Sequence, residues 1–130
     1  MTRTVTLAGL EVTLEAGHRA WACYEKMTGR SVLLATHLRE LFRGGLSQTY
    51  EWGWALSTKW RSAHAPTMLY DAWLDLFPAV GTPEWSEVHT AVSDLVVLPF
   101  YDKTWAELVQ MLNEAGEQAE AEANRVVTDG

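Results

Sequence analysis

The chain has 130 residues, a formal net charge of −7 and a single cysteine, and 48% of its residues are hydrophobic, as in an ordinary globular protein. This length most simply forms one domain, and the acidic balance argues against contacts with nucleic acid or an anionic membrane, which need clustered Lys and Arg. One cysteine excludes an internal disulfide, and no apolar run reaches the ~20 residues of a membrane span. Since the N-terminus has no apolar leader, the sequence predicts a soluble cytosolic protein.

The first predicted element is a β-hairpin. Apolar and polar side chains alternate over residues 4–7 and 10–14, and Ala8-Gly9 between them is a tight-turn signal. This pattern predicts a half-buried hairpin with one solvated face. Because an isolated hairpin is marginal in water, it must lie on another element, and the helix that follows is the obvious candidate.

That helix is predicted over residues 18–27, and Thr28-Gly29 ends it, with Gly29 suited to the left-handed residue after a helix end. Cys23 lies on its apolar stripe. We expect a buried structural thiol there rather than a reactive one, because the spacing brings no activating His or Lys close to it.

Two helices are predicted next, over residues 30–43 and 48–63, the second capped by Ser47. Aromatic and aliphatic rows cover most of the circumference of the second helix. It is therefore either sandwiched inside the domain or presents one side to a partner. Gly53 in its middle lowers helix propensity by roughly 1 kcal/mol relative to Ala, and it predicts the close approach of another backbone.

A short helix is predicted over residues 67–77, and Thr82-Pro83-Glu84 is a strong start for the next one, which must end before Pro99. The inward side chains predicted for the short helix are Met68, Leu69, Ala72, Trp73, Leu76 and Phe77.

The last helix begins at a capping box, Thr104-x-x-Glu107. We expect residues 1–115 to form one globular domain and residues 116–130 a polar tail that frays into disorder or orders on a partner. The fold class predicted for the whole chain is α+β and predominantly helical, with an N-terminal β-hairpin packed on a bundle of about five to six helices.

The chemistry-bearing residues form no catalytic, cofactor or metal signature. The four histidines have no ligand spacing, and no nucleophile elbow, phosphate loop or dinucleotide fingerprint occurs. We therefore predict no enzyme, no cofactor and no metal, and a role in protein–protein contact, for which Tyr and Trp are favoured anchors. The candidate partner-contact residues are Tyr50, Trp52, Trp54, Trp60 and Trp73.

Two short patterns lie within residues 4–31. The first is Thr-Val-Thr-Leu-Ala-Gly-Leu-Glu-Val-Thr-Leu at residues 4–14, and the second is Tyr-Glu-Lys-Met-Thr-Gly-Arg-Ser at residues 24–31. Together they resemble the start of the tail assembly chaperones of long-tailed bacteriophages, in which a strand pair precedes a helix that ends at Thr-Gly. Trp-Gly-Trp-Ala-Leu at residues 52–56 takes the place of a later family helix. The Trp-dense middle of the chain and residues 99–102 have no counterpart in that family.

The resemblance implies a non-enzymatic assembly factor in the host cell cytoplasm. Such a protein binds the tape measure protein, helps recruit tail tube protein, and is absent from the finished virion; self-association is left open. Two alternatives remain. One is a phage head–tail connector or neck structural protein, and the other is a small Trp-rich ligand-binding domain.

Overall fold

The fold is described from a computed structural model over residues 1–32 and 46–129. Within these ranges an antiparallel hairpin is followed by six helices, which confirms the predicted α+β, predominantly helical class. The strands are β1 (Thr2–Leu7) and β2 (Leu10–Glu15). The helices are α1 (His18–Thr28), α2 (Leu46–Leu56), α3 (Thr58–His64), α4 (Tyr70–Asp75), α5 (Pro83–Tyr101) and α6 (Trp105–Asp129).

The hairpin turns through two residues with positive φ, 51° at Ala8 and 79° at Gly9. Positive φ at both central residues matches the twist of the flanking strands. The predicted alternation is confirmed, because one face is buried and the threonines of the other are exposed. The buried side chains are Val5, Leu7, Val12 and Leu14.

The hairpin packs chiefly on α5 and α3, so the expectation that it lies on α1 is wrong. The reason is the length of the apolar surface available. Helix α5 presents a buried stripe that includes Val88, Val92 and Leu95, whereas α1 has only two fully buried side chains. A two-stranded sheet covers more apolar surface on the longer stripe.

Helix α1 ends as predicted. Gly29 adopts the left-handed conformation, with φ 71° and ψ 11°, and its N–H donates to the carbonyl of Glu25. The Thr28 hydroxyl donates to the carbonyl of Tyr24 at 2.8 Å, so both residues of the Thr-Gly pair close the last turn. The helix predicted over residues 30–43 falls mainly on residues 33–45, outside the described ranges.

The single helix predicted over residues 48–63 is two helices, α2 and α3, separated at Ser57. The Ser57 hydroxyl donates to the Trp54 carbonyl at 2.8 Å, and the Thr58 hydroxyl donates to the Ala55 carbonyl at 2.6 Å. Hydroxyl side chains that donate to backbone carbonyl oxygens in this way compete with the hydrogen bonds of the helix and often bend it. Ser47 is not a cap, because it lies inside α2, which begins one residue earlier.

Gly53 does mark a close approach, but to a side chain rather than to a backbone. A Cβ built on Gly53 would lie 3.1 Å from Cζ2 of Trp73. Helix α4, which carries Trp73, is shorter than predicted and begins at Tyr70. With so short a helix, Trp73 alone is fully buried, whereas Leu69 and Ala72, both expected to face inward, are exposed.

Helix α5 starts as predicted, with the Thr82 hydroxyl accepting from the N–H of Trp85 at 3.3 Å and Pro83 in the first turn. It does not end before Pro99 but continues to Tyr101. Pro99 is exposed, and it lies in the last turn. Proline removes only one helical hydrogen bond there, and the buried stripe upstream maintains the helix.

The predicted capping box at the start of α6 forms. The N–H of Glu107 donates to the Thr104 hydroxyl, and the N–H of Thr104 donates to the Glu107 carboxylate, each at 3.2 Å. These hydrogen bonds lower the pKa of Glu107.

The backbone stays helical to Asp129, although residues 110–121 are exposed. The division into a domain at 1–115 and a tail stays a prediction. Across the described ranges, no helix has the length and apolarity needed to cross a membrane.

Candidate partner-contact site

Two of the five candidate residues are interior. Trp52 is 1% exposed and Trp73 is 0% exposed. Trp52 stacks on Tyr24, and the indole N–H of Trp73 donates to the carbonyl of Tyr50 at 3.2 Å. Neither indole offers surface to a partner, so contact at these two positions does not fit the structure, and the sandwiched alternative describes them. Tyr50, Trp54 and Trp60 are half-buried.

An open pocket of about 460 Å³ lies beside Trp54. The end of α1, the middle of α2 and the start of α4 meet there because Tyr24 and Trp73 both pack against α2 from the interior. We call this the Trp54 pocket. Its lining residues are Met27, Thr28, Arg30, Glu51, Trp54 and Tyr70.

The Trp54 ring is fixed from several sides. Tyr70 meets it edge-on, with ring centroids 5.4 Å apart and planes at 88°, and Trp73 lies 6.0 Å away in a similar arrangement. The guanidinium carbon of Arg61 lies 3.4 Å from the Trp54 ring centroid, which is a cation–π contact. A half-buried indole held in one orientation is a preorganised contact surface, since little rotamer freedom remains to be lost on binding.

Arg61 also hydrogen-bonds to the chain that carries Trp54. Its Nη2 donates to the Trp54 carbonyl at 2.8 Å, and its Nε donates to the Ser57 hydroxyl at 2.9 Å. The pKa of Arg61 is lowered by burial, and the neighbouring Cys23 side chain offsets part of this effect. A guanidinium nevertheless stays protonated at neutral pH. The sequence pattern did not predict a cationic side chain beside Cys23, but Arg61 lies there.

An ion pair lies at the pocket. Nη2 of Arg30 is 3.6 Å from Oε2 of Glu51, and the Glu51 side chain is 17% exposed. Burial, followed by the charges of Glu51 and Tyr50, raises the pKa of the Tyr70 hydroxyl to about 12. Tyr70 is therefore a neutral wall of the pocket at physiological pH.

The other half-buried candidates are not gathered at the Trp54 pocket. Trp60 stacks on His64, with ring centroids 5.3 Å apart, and lines a separate hollow of about 270 Å³ beside the hairpin. Tyr50 meets Phe77 edge-on, with centroids 4.8 Å apart. The structure thus assigns Trp54 a pocket, Trp60 another hollow, and Tyr50 a position supporting the rings of α4 and the following loop.

Most of the pocket lining was missed at the sequence level. Met27, Thr28, Arg30, Glu51 and Tyr70 come from three elements, and no local pattern joins them. One signal was present for the Trp54 ring rather than for the pocket lining: Arg61 follows Trp54 by seven residues, about two helical turns, which places a cation on the side of the indole. In the described part of the chain, no group of three or more His, Cys, Asp or Glu residues is placed to hold a metal ion.

Comparison of the chain with models of known protein families, with curated proteins and with solved structures finds no match.

Proposed function

We propose that this chain is a non-enzymatic assembly chaperone of a long-tailed bacteriophage, acting in the host cell cytoplasm. It binds the tape measure protein and helps recruit tail tube protein while the tail is built. The observation that carries the proposal is the Trp54 pocket, an aromatic hollow whose central indole is half-buried and held by Arg61.

A pocket of this kind suits a helical partner. An amphipathic helix binds through a few anchoring side chains that enter hydrophobic hollows, and Trp and Tyr are the commonest anchors at such contacts. Trp54 and Tyr70 supply two aromatic walls, and Met27, with 37% of its surface exposed, supplies an adaptable aliphatic one. The tape measure protein is long and helical in the family that this chain resembles.

The contact that the pocket offers is small, which fits a chaperone that must leave. One open hollow of about 460 Å³ receives one or two side chains, so binding is reversible. The net charge of −7 keeps a complex with an apolar segment in solution.

The stretch that carries the resemblance supports the fold rather than the contact. Its hairpin buries four aliphatic side chains, and Tyr24 in α1 is fully buried. Residues 4–29 therefore position α2, and the contact surface lies on α2 and α4 next to the end of α1.

Co-expression with the candidate tape measure protein tests the proposal. We expect the tape measure protein to become soluble and to co-purify with the wild-type chain, and Trp54→Ala to reduce the amount recovered. Trp85→Ala is the matched control, because Trp85 is also half-buried but stacks on His89 outside the pocket. Unchanged solubility with no complex contradicts the proposal.

A small-ligand-binding domain is the second candidate, and the size of the pocket favours it. A volume of about 460 Å³ lies within the range of small-molecule sites. A thermal-shift screen of small aromatic and cationic compounds separates the two functions. A compound that raises the melting temperature of the wild type but not of Trp54→Ala, together with no tape measure complex, selects this candidate.

A further inference from the structure

One oxygen of the Glu51 carboxylate at the Trp54 pocket, Oε2, lacks a hydrogen bond among the described residues. This oxygen is buried. Its ion-pair partner, Nη2 of Arg30, is 3.6 Å away, beyond hydrogen-bonding distance. A buried ionised oxygen without a hydrogen bond is energetically unfavourable. A hydrogen-bond donor that reaches this carboxylate would therefore be stabilising.

The surroundings of Glu51 define which donor fits. Trp54, Tyr70 and Met27 line the pocket with aromatic and aliphatic surface, and the Glu51 side chain is part of the same lining. This combination suits a side chain with a long apolar stem and a cationic end, because the stem packs along the walls while the head reaches the carboxylate. The pocket lining holds one basic and one acidic side chain, Arg30 and Glu51, while the net charge of −7 over the whole chain favours the approach of a cation.

We propose that the Trp54 pocket receives a lysine or arginine side chain of the protein partner, which donates to the Glu51 carboxylate. We assume that this side chain belongs to the tape measure protein, and in that respect the inference rests on the proposed function. The incoming cation uses the carboxylate and the pocket walls, whereas the Trp54 ring face already carries Arg61 at 3.4 Å.

Arg30 is compatible with this arrangement. Since its distance to Oε2 is too long for a hydrogen bond, the carboxylate keeps acceptor capacity for a second donor. A carboxylate that accepts from two cationic groups is a common feature of ion-pair networks, and the second donor supplies the hydrogen bond that the first does not.

The first test needs no protein partner. Butylammonium is titrated into the ¹⁵N-labelled chain at constant ionic strength, and the indole N–H signal of Trp54 is followed, identified by its loss in Trp54→Phe. Butan-1-ol, with the same stem and no charge, is the ligand control. We expect saturable shifts with butylammonium only, and affinity about tenfold weaker in Glu51→Gln, which loses a charge-assisted hydrogen bond.

Glu11→Gln is the matched protein control, because Glu11 is exposed on β2 and the substitution removes the same charge. It should bind butylammonium like the wild type, and circular dichroism should show that both variants are folded. Equal responses to butylammonium and butan-1-ol, no saturable response, or an unchanged affinity in Glu51→Gln overturns the inference.

The second test uses the complex and separates the two proposals. If the wild type and Glu51→Gln capture the tape measure protein equally, the cation pocket is wrong and the chaperone function stands. If the wild type captures no tape measure protein but binds butylammonium through Glu51, the chaperone function is wrong and the cation pocket stands. A complex weakened about tenfold in Glu51→Gln supports both.

Discussion

Tyr24 of α1 lies flat against Trp52 of α2, with ring centroids 3.6 Å apart and ring planes 4° apart. Both side chains are fully buried, and the Tyr24 hydroxyl donates to Oε1 of Gln48, itself buried, at 3.0 Å. This contact joins the stretch that carries the family resemblance to the helix that carries the Trp54 pocket. The position of the pocket therefore depends on it.

Truncation of the stacked indole should strongly destabilise the domain. Trp52→Ala removes a large buried ring, and such changes cost about 3–5 kcal/mol, a large part of the stability of a small domain. Tyr24→Phe keeps the stack but loses the donor to Gln48, so we expect a cost of about 0.5–1.5 kcal/mol. Urea unfolding followed by circular dichroism measures both. Equal losses in the two variants would contradict the dominant role of the stacked ring.

The close contact at Gly53 predicts a steep dependence on side-chain size. Gly53→Ala gains up to about 1 kcal/mol of helix propensity, but its Cβ meets Trp73 at 3.1 Å, so the net change should be less than about 1 kcal/mol in either direction. Gly53→Val overpacks a buried site and should cost about 1–3 kcal/mol. The measurement is the free energy of unfolding in urea.

Gly116 provides the control for this pair, because a Cβ there would meet nothing within 4 Å. Gly116→Ala and Gly116→Val should both be tolerated. If Gly53→Val is also tolerated, Trp73 moves freely and the tight contact is not a constraint.

The elements predicted correctly are those with local signals. Alternation and the Ala8-Gly9 pair define the hairpin, Gly29 ends α1, and the Thr104 capping box starts α6. Each signal acts within a few residues, through backbone conformation or a neighbouring hydrogen bond. Such effects can be predicted without knowledge of the tertiary fold.

The elements predicted wrongly depend on tertiary contacts. Trp52 and Trp54 are two residues apart on a helix with apolar rows around most of its circumference, so the sequence does not distinguish the buried ring from the half-exposed one. Pro99 lies in the last turn of α5, and the buried stripe that maintains the helix lies upstream of it. The ion pair between Arg30 and Glu51, and with it the proposed cation pocket, joins separate elements and has no local pattern.

His89 predicts a loss of stability in acid. Its ring stacks on Trp85, meets Trp105 edge-on, and shares a hydrogen bond with the Thr49 hydroxyl at 3.0 Å through Nδ1. Burial lowers the pKa of His89 below its usual value of about 6.5. As the pH falls through about 6.5, the unfolded chain binds a proton before the folded one does, so the free energy of unfolding decreases.

Urea unfolding at about pH 7.5 and 5.5 measures this effect in the wild type and in His89→Gln. The wild type should lose more stability between the two values than the variant, which has no imidazole at this position. His18→Gln is the control for loss of an exposed histidine, and it should retain the His89 effect. Parallel losses in the wild type and His89→Gln would mean that His89 titrates alike in the folded and unfolded chain.

Tyr70, which lines the Trp54 pocket, leads us to expect that the free energy of unfolding decreases at alkaline pH. Its pKa is raised to about 12 by burial, whereas an unfolded tyrosine titrates near pH 10. Between these values the unfolded chain releases the phenolic proton first, so stability falls as the pH rises above about 10. Tyr70→Phe keeps an aromatic ring beside Trp54 and removes the titration. It should therefore lose less stability than the wild type between about pH 8.5 and 11 in urea unfolding, while Tyr101→Phe, at an exposed site, follows the wild type.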